Sequence, residues 1–353
     1  MIICSRLCSP HRLDPFPMTN ATTSPRMSKM TGLLVAGGVF GAVAASALAT
    51  SVAPAPAQAV DACFSSGLTG TLKTGSASCS SSGPLQWAIA IGANTTAEVA
   101  GGLFNLAIAV GDNSEAYASR GAQSVRGGYF NIATAAAGGT ARASDGVFQI
   151  ANARGEGSGA FARYGSFGVA RAIGLNAFAQ AAAEGEFTAF NIAVARGENS
   201  SASALRGFGN SSRAFGSDAS AFAGYGNGNI AGALGNGAVA EARGDSSGAD
   251  QSSFNIARVA GSGSYARAGA SDFDAAGQGN FNIATVIGNG SGAAAGQGNF
   301  NTARVFGDTS TAEAGPGNGR RAIIVGSNQT ENDPPRDASA RRAAASARSA
   351  AHR

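Results

Sequence analysis

Histidine is almost absent from this sequence, and its absence excludes several kinds of catalysis. Only His11 and His352 occur among the 353 residues, and both lie outside the repetitive part of the chain. Ser-His-Asp and Cys-His mechanisms, and most zinc sites, need a histidine within the folded body. No P-loop occurs either, and the glycine-rich stretches are turns of a repeat that do not open a helix. We therefore expect no enzyme activity, no cofactor and no metal site.

Lysine is also scarce, and the chain is close to neutral. Lys29 and Lys73 are the only lysines, and the formal net charge is +4. Residues 1–59 carry four basic residues and one acid, so the remainder carries +1. Residues 329–353 carry five arginines and three acids, which leaves about −1 on the body between them. Such a body lacks the basic footprint that binds phosphate backbones, so no nucleic-acid partner is expected.

What the sequence does contain is a 19-residue repeat, from about residue 85 to about residue 326. Position 1 of the repeat is most often phenylalanine. The repeats begin at Leu85, Phe104, Phe130, Phe148, Phe167, Phe190, Gly209, Gly228, Phe254, Phe281, Phe300 and Gly319. A constant period of this length indicates stacked copies of one small unit. Four steps of 23 to 27 residues mark insertions, the longest around Ala118–Tyr129, Ala242–Ser253 and Ala268–Gly279. Insertions of this kind form loops on one side, either as a contact surface or as tolerated surface variation.

Each repeat has a fixed internal pattern. Position 2 is usually asparagine, position 4 alanine and position 8 glycine, and alanine then recurs at alternate positions, as in Ala202 and Ala204. Alternation with period two indicates β-strands, and Gly, Asn, Asp and Ser at fixed offsets indicate turns. Nineteen residues are too few for a β-α-β crossover. The sequence therefore predicts an all-β fold, a single β-solenoid or β-roll of about twelve 19-residue coils.

The alternation also predicts which side chains point inward. Positions 4 and 6 carry alanine or small β-branched residues and should line a thin core, whereas positions 5 and 7 accept arginine and should face outward. For the Phe and Ile of positions 1 and 3, two interpretations stay open. Either a corner turns them inward, or they form an exposed apolar stripe that packs against another chain, which would make the protein a homo-oligomer.

The asparagines at position 2 are predicted to form a structural ladder, in which each side chain bonds to the next coil. Its members are Asn105, Asn131, Asn191, Asn210, Asn229, Asn255, Asn282 and Asn301.

Residues 1–59 are interpreted as an N-terminal extension and a secretory signal peptide. Arg26 and Lys29 precede the apolar run Leu33–Ala49, and Ala57–Ala59 is an A-x-A cleavage site. A transmembrane helix is the rival interpretation, but the run contains few large apolar residues and a proline-containing stretch follows it. We expect a secreted or cell-surface protein, cleaved near Ala59, with no transmembrane anchor in the mature chain.

Three further segments complete the predicted organisation. Cys63 and Cys79 are expected to form a disulfide that closes an N-terminal cap over residues 60–84. Residues 85–328 form the repeat domain. Residues 329–353, rich in alanine and arginine, are predicted to be a disordered or weakly helical tail.

Residues 88–92, Ala-Ile-Ala-Ile-Gly, and residues 107–111, Ala-Ile-Ala-Val-Gly, resemble the head repeats of YadA-like trimeric autotransporter adhesins. The resemblance covers about residues 85–326. It implies a β-roll that trimerises and binds host matrix or host surfaces. This chain departs from the family in its longer repeat, and neither a heptad stalk nor a C-terminal barrel anchor is recognised in it.

These observations favour a secreted or cell-surface bacterial protein with a structural, adhesive or interaction role and no enzymatic activity. Its expected partners are further copies of itself and a host or cell-envelope surface component. The alternative is a carbohydrate-binding or carbohydrate-active β-helix protein, with carboxylates aligned on neighbouring coils beside a groove between insertions. A third possibility is anion binding through the arginine-rich tail, for which a solvated end is the simpler interpretation.

Overall fold

The computed structural model describes residues 60–119, 128–181, 188–243, 252–269, 279–296 and 298–333. Every helix-or-strand element in these ranges is a β-strand. In chain order the strands are β1 (Ala62–Ser66), β2 (Gly70–Thr74), β3 (Ser78–Ser81), β4 (Trp87–Ile91), β5 (Thr96–Val99), β6 (Leu106–Val110), β7 (Glu115–Ala118), β8 (Ile132–Ala136), β9 (Thr140–Val147), β10 (Ile150–Arg154), β11 (Gly159–Ser166), β12 (Val169–Ile173), β13 (Phe178–Ala181), β14 (Ile192–Arg196), β15 (Ser201–Ala204), β16 (Ser211–Phe215), β17 (Ser220–Ala223), β18 (Ile230–Leu234), β19 (Val239–Ala242), β20 (Ile256–Ala260), β21 (Tyr265–Ala268), β22 (Ile283–Ile287), β23 (Gly292–Ala295), β24 (Thr302–Phe306), β25 (Thr311–Ala314), β26 (Arg321–Val325) and β27 (Thr330–Asp333). The predicted signal segment, most of each long insertion and residues 334–353 lie outside the described residues.

The strands form two long sheets. The even sheet has 14 strands, β2 and β1 followed by every even-numbered strand from β4 to β26. The odd sheet has 13 strands, the odd-numbered ones from β3 to β27. The chain therefore alternates between the sheets, and from β3 onward each strand pairs in parallel with the strand two places later. One strand from each sheet makes one coil, so the protein is an all-β solenoid of about twelve turns, and the predicted fold is confirmed.

The insertions leave the register between coils unchanged. Strands β18 and β20 are separated by a 26-residue step, yet Ile230 still pairs with Ile256 and Ala231 with Ala257. The extra residues follow an odd strand and precede the next even strand, so a corner accommodates them. A slip of one residue would turn every alanine of a strand to the outside, which fixes the register strongly.

The space between the sheets is filled almost entirely by alanine. The alternating alanines of each coil are at most 3% exposed, and larger apolar side chains such as Val286 and Val305 are few. Each alanine removes little apolar area from water, so burial alone gives a modest stabilisation per coil. Backbone ladders supply the rest, and the stability grows with the number of stacked coils.

The first coil is closed by an antiparallel cap. Strand β1 lies antiparallel to both β4 and β2. A disulfide joins Cys63 in β1 to Cys79 in β3, with their Cα atoms 5.6 Å apart, and so links the two sheets. Strand β3 pairs in parallel with β5, so the odd sheet begins inside residues 60–84 and not at residue 85. Its sequence, Ser-Cys-Ser-Ser, lacks the alanine alternation that marks later coils.

The array also ends later than predicted. Strand β27 pairs in parallel with β25, so the last strand reaches Asp333 and the predicted boundary after residue 328 is wrong. Glu331 stands where the preceding coil has Ala312. Because Glu331 is exposed, this end position tolerates a charge, and the alanine pattern that identifies the other coils is missing there.

Removal of the disulfide is expected to loosen the first coils and leave the middle of the array intact. Replacing Cys63 and Cys79 by serine opens a link that spans 16 residues. For a loop of this size the chain-entropy model gives a loss of about 3 kcal/mol in the free energy of unfolding. Hydrogen exchange should show lost protection in β1, β3 and β4 but unchanged protection in β14 to β18. Reductant should have no further effect on the double variant, and equal protection of β1 in both proteins would contradict the expectation.

Candidate functional site

Position 1 of the repeat is a corner that holds its backbone in the left-handed region. We call the eight aromatic residues at this position the phenylalanine ladder. They are Phe104, Phe130, Phe148, Phe167, Phe190, Phe254, Phe281 and Phe300. Their φ angles lie between 57° and 61°, and Gly209, Gly228 and Gly319 adopt the same conformation. This region costs a residue with a Cβ about 1–2 kcal/mol, so glycine is the unstrained choice. Eight phenylalanines kept at this cost point to a role for their side chains.

The rings of the ladder are stacked along the solenoid. From Phe104 to Phe190 the ring centroids are 4.7–5.1 Å apart and adjacent ring planes differ by 5–8°. From Phe254 to Phe300 the spacings are 5.1 and 5.2 Å. Two coils that carry glycine at position 1 separate these segments, and Phe208 packs against Phe190 at a tilt of 59°. The spacing matches the distance between neighbouring strands, so the backbone ladder sets it.

The ladder lies on the outside of the solenoid. Its members are 38–64% exposed, Phe300 most of all. The interpretation in which a corner turns these side chains inward is therefore wrong. The ladder residues form an exposed apolar stripe instead. The alternation of the strand continues through the corner, since Phe130 and Ile132 are exposed whereas Asn131 and Ala133 are buried.

The stacking determines what the stripe can contact. Each inner ring has both of its faces against its neighbours, and only its edge points to water. A flat ligand that stacks on an aromatic face would find free faces only at the segment ends. Each of the two segments of the ladder thus offers a row of apolar ring edges, which suits another apolar surface.

The outer face of the even sheet continues this apolar surface. Ile132 and Ile150 at position 3 are 37% and 42% exposed, beside the ladder. None of the even-numbered strands from β4 to β26 contains Asp or Glu. Arginines interrupt the apolar rows at positions 3, 5 and 7. They are Arg154, Arg171, Arg196, Arg213, Arg258, Arg304 and Arg321. The face is consequently apolar with a positive charge.

The residue after each corner points inward and forms the amide ladder. All eight predicted asparagines are at most 1% exposed. In six steps the Oδ1 atom of one asparagine accepts the backbone N–H of the next at 2.8–3.0 Å. The amide nitrogens donate to corner carbonyls, as Asn255 Nδ2 does to Gly279 O at 2.7 Å. These side chains hold the coils together and are closed to ligands.

Two glutamines belong to the same ladder and are missed by a search for asparagine. Gln86 and Gln149 are fully buried at position 2. Gln149 donates its backbone N–H to Asn131 Oδ1 at 3.0 Å, and Gln86 Nε2 donates to the carbonyl of Gly101 at 2.7 Å. A pattern that allows either amide at position 2 would have found both.

The odd sheet has a mixed outer face, with several arginines above aromatic rings. In one cluster Arg267 lies 5.9 Å from the Tyr265 ring centroid and 3.4 Å from Glu241 Oε2, which also pairs with Arg243. Burial raises the pKa of Tyr265, and the two arginines oppose that rise. The carboxylate of Glu241 therefore offsets part of the positive charge of the two arginines.

Carboxylates do not align on neighbouring strands in the described part of the chain. The register places Glu98 opposite Tyr117 and Glu115 opposite Thr140, and no described strand pair sets one acid directly against another. The described residues contain no group of three or more His, Cys, Asp or Glu that could hold a metal ion. They also contain no helix long and apolar enough to cross a bilayer.

Comparisons of this chain with protein-family models, with curated proteins and with solved structures find no match.

Proposed function

We propose that this protein is a secreted or cell-surface scaffold without enzymatic activity, which associates through the phenylalanine ladder and the adjoining face of the even sheet. The observation that carries the proposal is the row of exposed, stacked rings on left-handed backbone. Both the exposure and the backbone strain cost free energy in an isolated chain. Burial of the ring edges in an interface would offset both costs.

A second copy of the chain is the partner that fits best. The rings repeat every 4.7–5.2 Å, and a second solenoid has the same repeat along its whole length. A fully exposed phenylalanine offers about 200 Å², so the exposed fractions of the eight ladder residues correspond to about 750 Å². A standard interface buries about 800 Å² on each partner, so the ladder alone approaches that size. The other partner that we propose for this scaffold is a host or cell-envelope surface component.

The carbohydrate alternative has less support from the geometry. Sugars stack on the flat faces of aromatic rings, and the ladder covers those faces with its own neighbours. The absence of directly opposed acids in the described strand pairs weakens the carbohydrate-active version. No specific feature of the described surface favours it over association.

Replacing three ladder residues by asparagine tests the proposal. Asparagine tolerates the left-handed region, so the variant Phe130→Asn, Phe148→Asn, Phe167→Asn should keep the coil geometry. We expect sedimentation velocity to show assemblies of the wild-type chain at micromolar concentration and a shift of at least tenfold toward monomer in the variant. The far-UV circular dichroism of the two proteins should agree.

A matched control separates the ladder from general loss of aromatic residues. Phe178→Asn with Phe222→Asn removes two rings from the odd sheet, outside the ladder. This variant should assemble like the wild type. A wild-type chain that stays monomeric up to about 100 μM, or a control as defective as the triple variant, would refute association through the ladder.

A further inference from the structure

The outer face of the even sheet carries an arginine on every second strand from β12 to β24. These arginines all stand at position 5 of the repeat, in the middle of their strands. They are Arg171, Arg213, Arg258 and Arg304. The register places an uncharged residue between each two of them, as Val194 lies between Arg171 and Arg213. Successive arginines are therefore two strand spacings apart, about 9–10 Å, and a flat anionic surface can meet all four at once.

The acidic residues of the strands lie on the opposite sheet. The even strands from β4 to β26 contain no Asp or Glu. The acids of the odd strands from β5 to β25 are Glu98, Glu115, Asp145, Glu241 and Glu313. Further acids border the even face at the corner after position 8, where Asp112 Oδ1 accepts the backbone N–H of Ala93 at 2.8 Å and Asp308 Oδ1 that of Asn289 at 2.7 Å. The even face is thus positive at its centre, although the body as a whole is close to neutral.

The arginines share this face with exposed apolar side chains. Arg171, Arg213 and Arg258 are exposed, so their guanidinium groups are accessible from outside. Several apolar residues at position 7 are between 38% and 74% exposed. They are Ile91, Val110, Leu234, Ile287, Phe306 and Val325. Because an arginine stem can lie along apolar surface while its head reaches a polar group, the face can serve a partner that is both anionic and apolar.

This combination of charge and apolar surface decides between kinds of partner. A second copy that met this face with its own would set arginines against arginines, with no acid in the strands of either sheet to offset them. A soluble polyanion would contact the arginines and leave the apolar side chains in water. An anionic lipid bilayer presents phosphate groups to the arginines and an acyl boundary to the apolar residues.

We propose that the outer face of the even sheet lies on the surface of an anionic lipid bilayer. The guanidinium groups at position 5 bind lipid phosphates, and the apolar side chains at position 7 enter the boundary between headgroups and acyl chains. The bilayer would be the surface component of the proposed function, so this assignment rests on that function. It does not need association through the phenylalanine ladder, which lies at the corner.

The single tryptophan of the chain can report contact of this face with lipid. Trp87 lies at position 3 of β4, where Ala88 and Ala90 are buried and Trp87 belongs to the outer face. We expect vesicles of phosphatidylglycerol and phosphatidylcholine in equal parts, with brominated acyl chains, to quench its fluorescence and shift its emission to shorter wavelength. Vesicles of phosphatidylcholine alone should have little effect.

The measurement uses residues 60–353, which contain every strand described above. The apolar run Leu33–Ala49 is left out because it would bind lipid by itself. The far-UV circular dichroism of this protein should show the same β-structure as that of the full chain.

Replacing three exposed arginines of the face by glutamine is expected to weaken the contact. The variant Arg171→Gln, Arg213→Gln, Arg258→Gln should need at least about tenfold more lipid for half-maximal quenching of Trp87, because each arginine near an anionic surface adds to the binding. Its circular dichroism should be unchanged, since all three side chains are exposed.

A matched control removes the same charge from the opposite sheet. The variant Arg142→Gln, Arg163→Gln, Arg267→Gln changes three arginines of the odd strands and should bind the vesicles like the unmodified protein. The proposal fails if anionic vesicles leave Trp87 unquenched up to millimolar lipid, if neutral vesicles quench it equally, or if the control binds as weakly as the face variant. Complete release from the vesicles by soluble polyphosphate at equal phosphate concentration would show recognition of charge alone and would also overturn it.

The ladder variant with three asparagines separates this result from self-association. The variant Phe130→Asn, Phe148→Asn, Phe167→Asn should still be quenched by anionic vesicles. A wild-type chain that stays monomeric but is quenched would refute association through the ladder and support the lipid contact. A chain that assembles through the ladder without quenching of Trp87 would do the reverse.

Discussion

Replacing Gly216 by alanine is expected to lower the free energy of unfolding by about 5 kcal/mol, the largest effect of any change considered. Gly216 occupies position 8, where φ is +137°, a conformation that L side chains rarely adopt. A Cβ there would overlap the backbone carbonyl of Gly235 in the next coil. Backbone strain of this kind costs on the order of 1–3 kcal/mol. The overlap adds to it, because the carbonyl belongs to the ladder and cannot move alone.

The solenoid also offers two matched controls for the same substitution. At Gly209 φ is +71°, but a Cβ would have no atom within 4 Å. Gly209→Ala should therefore lower the free energy of unfolding by only about 1 kcal/mol. Gly232→Ala, in β18, has neither a left-handed φ nor a neighbour within 4 Å, and it should be neutral or slightly stabilising. Urea unfolding followed by circular dichroism ranks the three variants.

The ranking distinguishes two explanations of the glycine at position 8. If only turn propensity mattered, Gly216→Ala and Gly209→Ala would cost the same. A difference of several kcal/mol in favour of Gly209→Ala shows that close stacking of backbones demands the glycine. Equal losses for the two variants would contradict this account.

The architecture was predictable because its signals are local and repeated. A 19-residue repeat with alternating alanine predicts a coil made of strand, turn, strand and turn. Strand pairs such as Ala170 with Ala193 follow that pattern. The boundaries were less predictable. Strand β3 and strand β27 carry serine, cysteine and acids in place of the alanines, since the ends of the array are not enclosed by coils on both sides.

The candidate site was only partly predictable. Alternation gives the phenylalanines of position 1 the same parity as the outward positions 5 and 7, and these phenylalanines are exposed. The sequence does not show the left-handed φ of about 57–61° or the stacking of neighbouring rings, because both depend on how the corners of successive coils lie against one another.

Asn210→Leu is expected to have the second-largest effect, a loss of about 4 kcal/mol. Asn210 is fully buried and serves both neighbouring coils. Its Oδ1 atom accepts the backbone N–H of Asn229 at 2.9 Å, and its Nδ2 atom donates to the carbonyls of Arg206 and Gly226 at 2.9 and 2.8 Å. Leucine would leave these buried backbone groups unsatisfied, at about 1–3 kcal/mol each, with partial relaxation reducing the sum.

The matched control for this prediction is Asn152→Leu on the outer face of the even sheet. Asn152 Nδ2 donates to Thr134 Oγ1 at 2.6 Å, but both groups lie beside water and can exchange one partner for another. The same change should therefore cost less than about 1 kcal/mol there. Hydrogen exchange should show that Asn210→Leu opens β16 and β18 first, since stability in a stacked array is coupled mainly to nearest neighbours. If Asn210→Leu were as mild as Asn152→Leu, the coils would be held by backbone pairing and alanine packing alone, and the amide ladder would be dispensable.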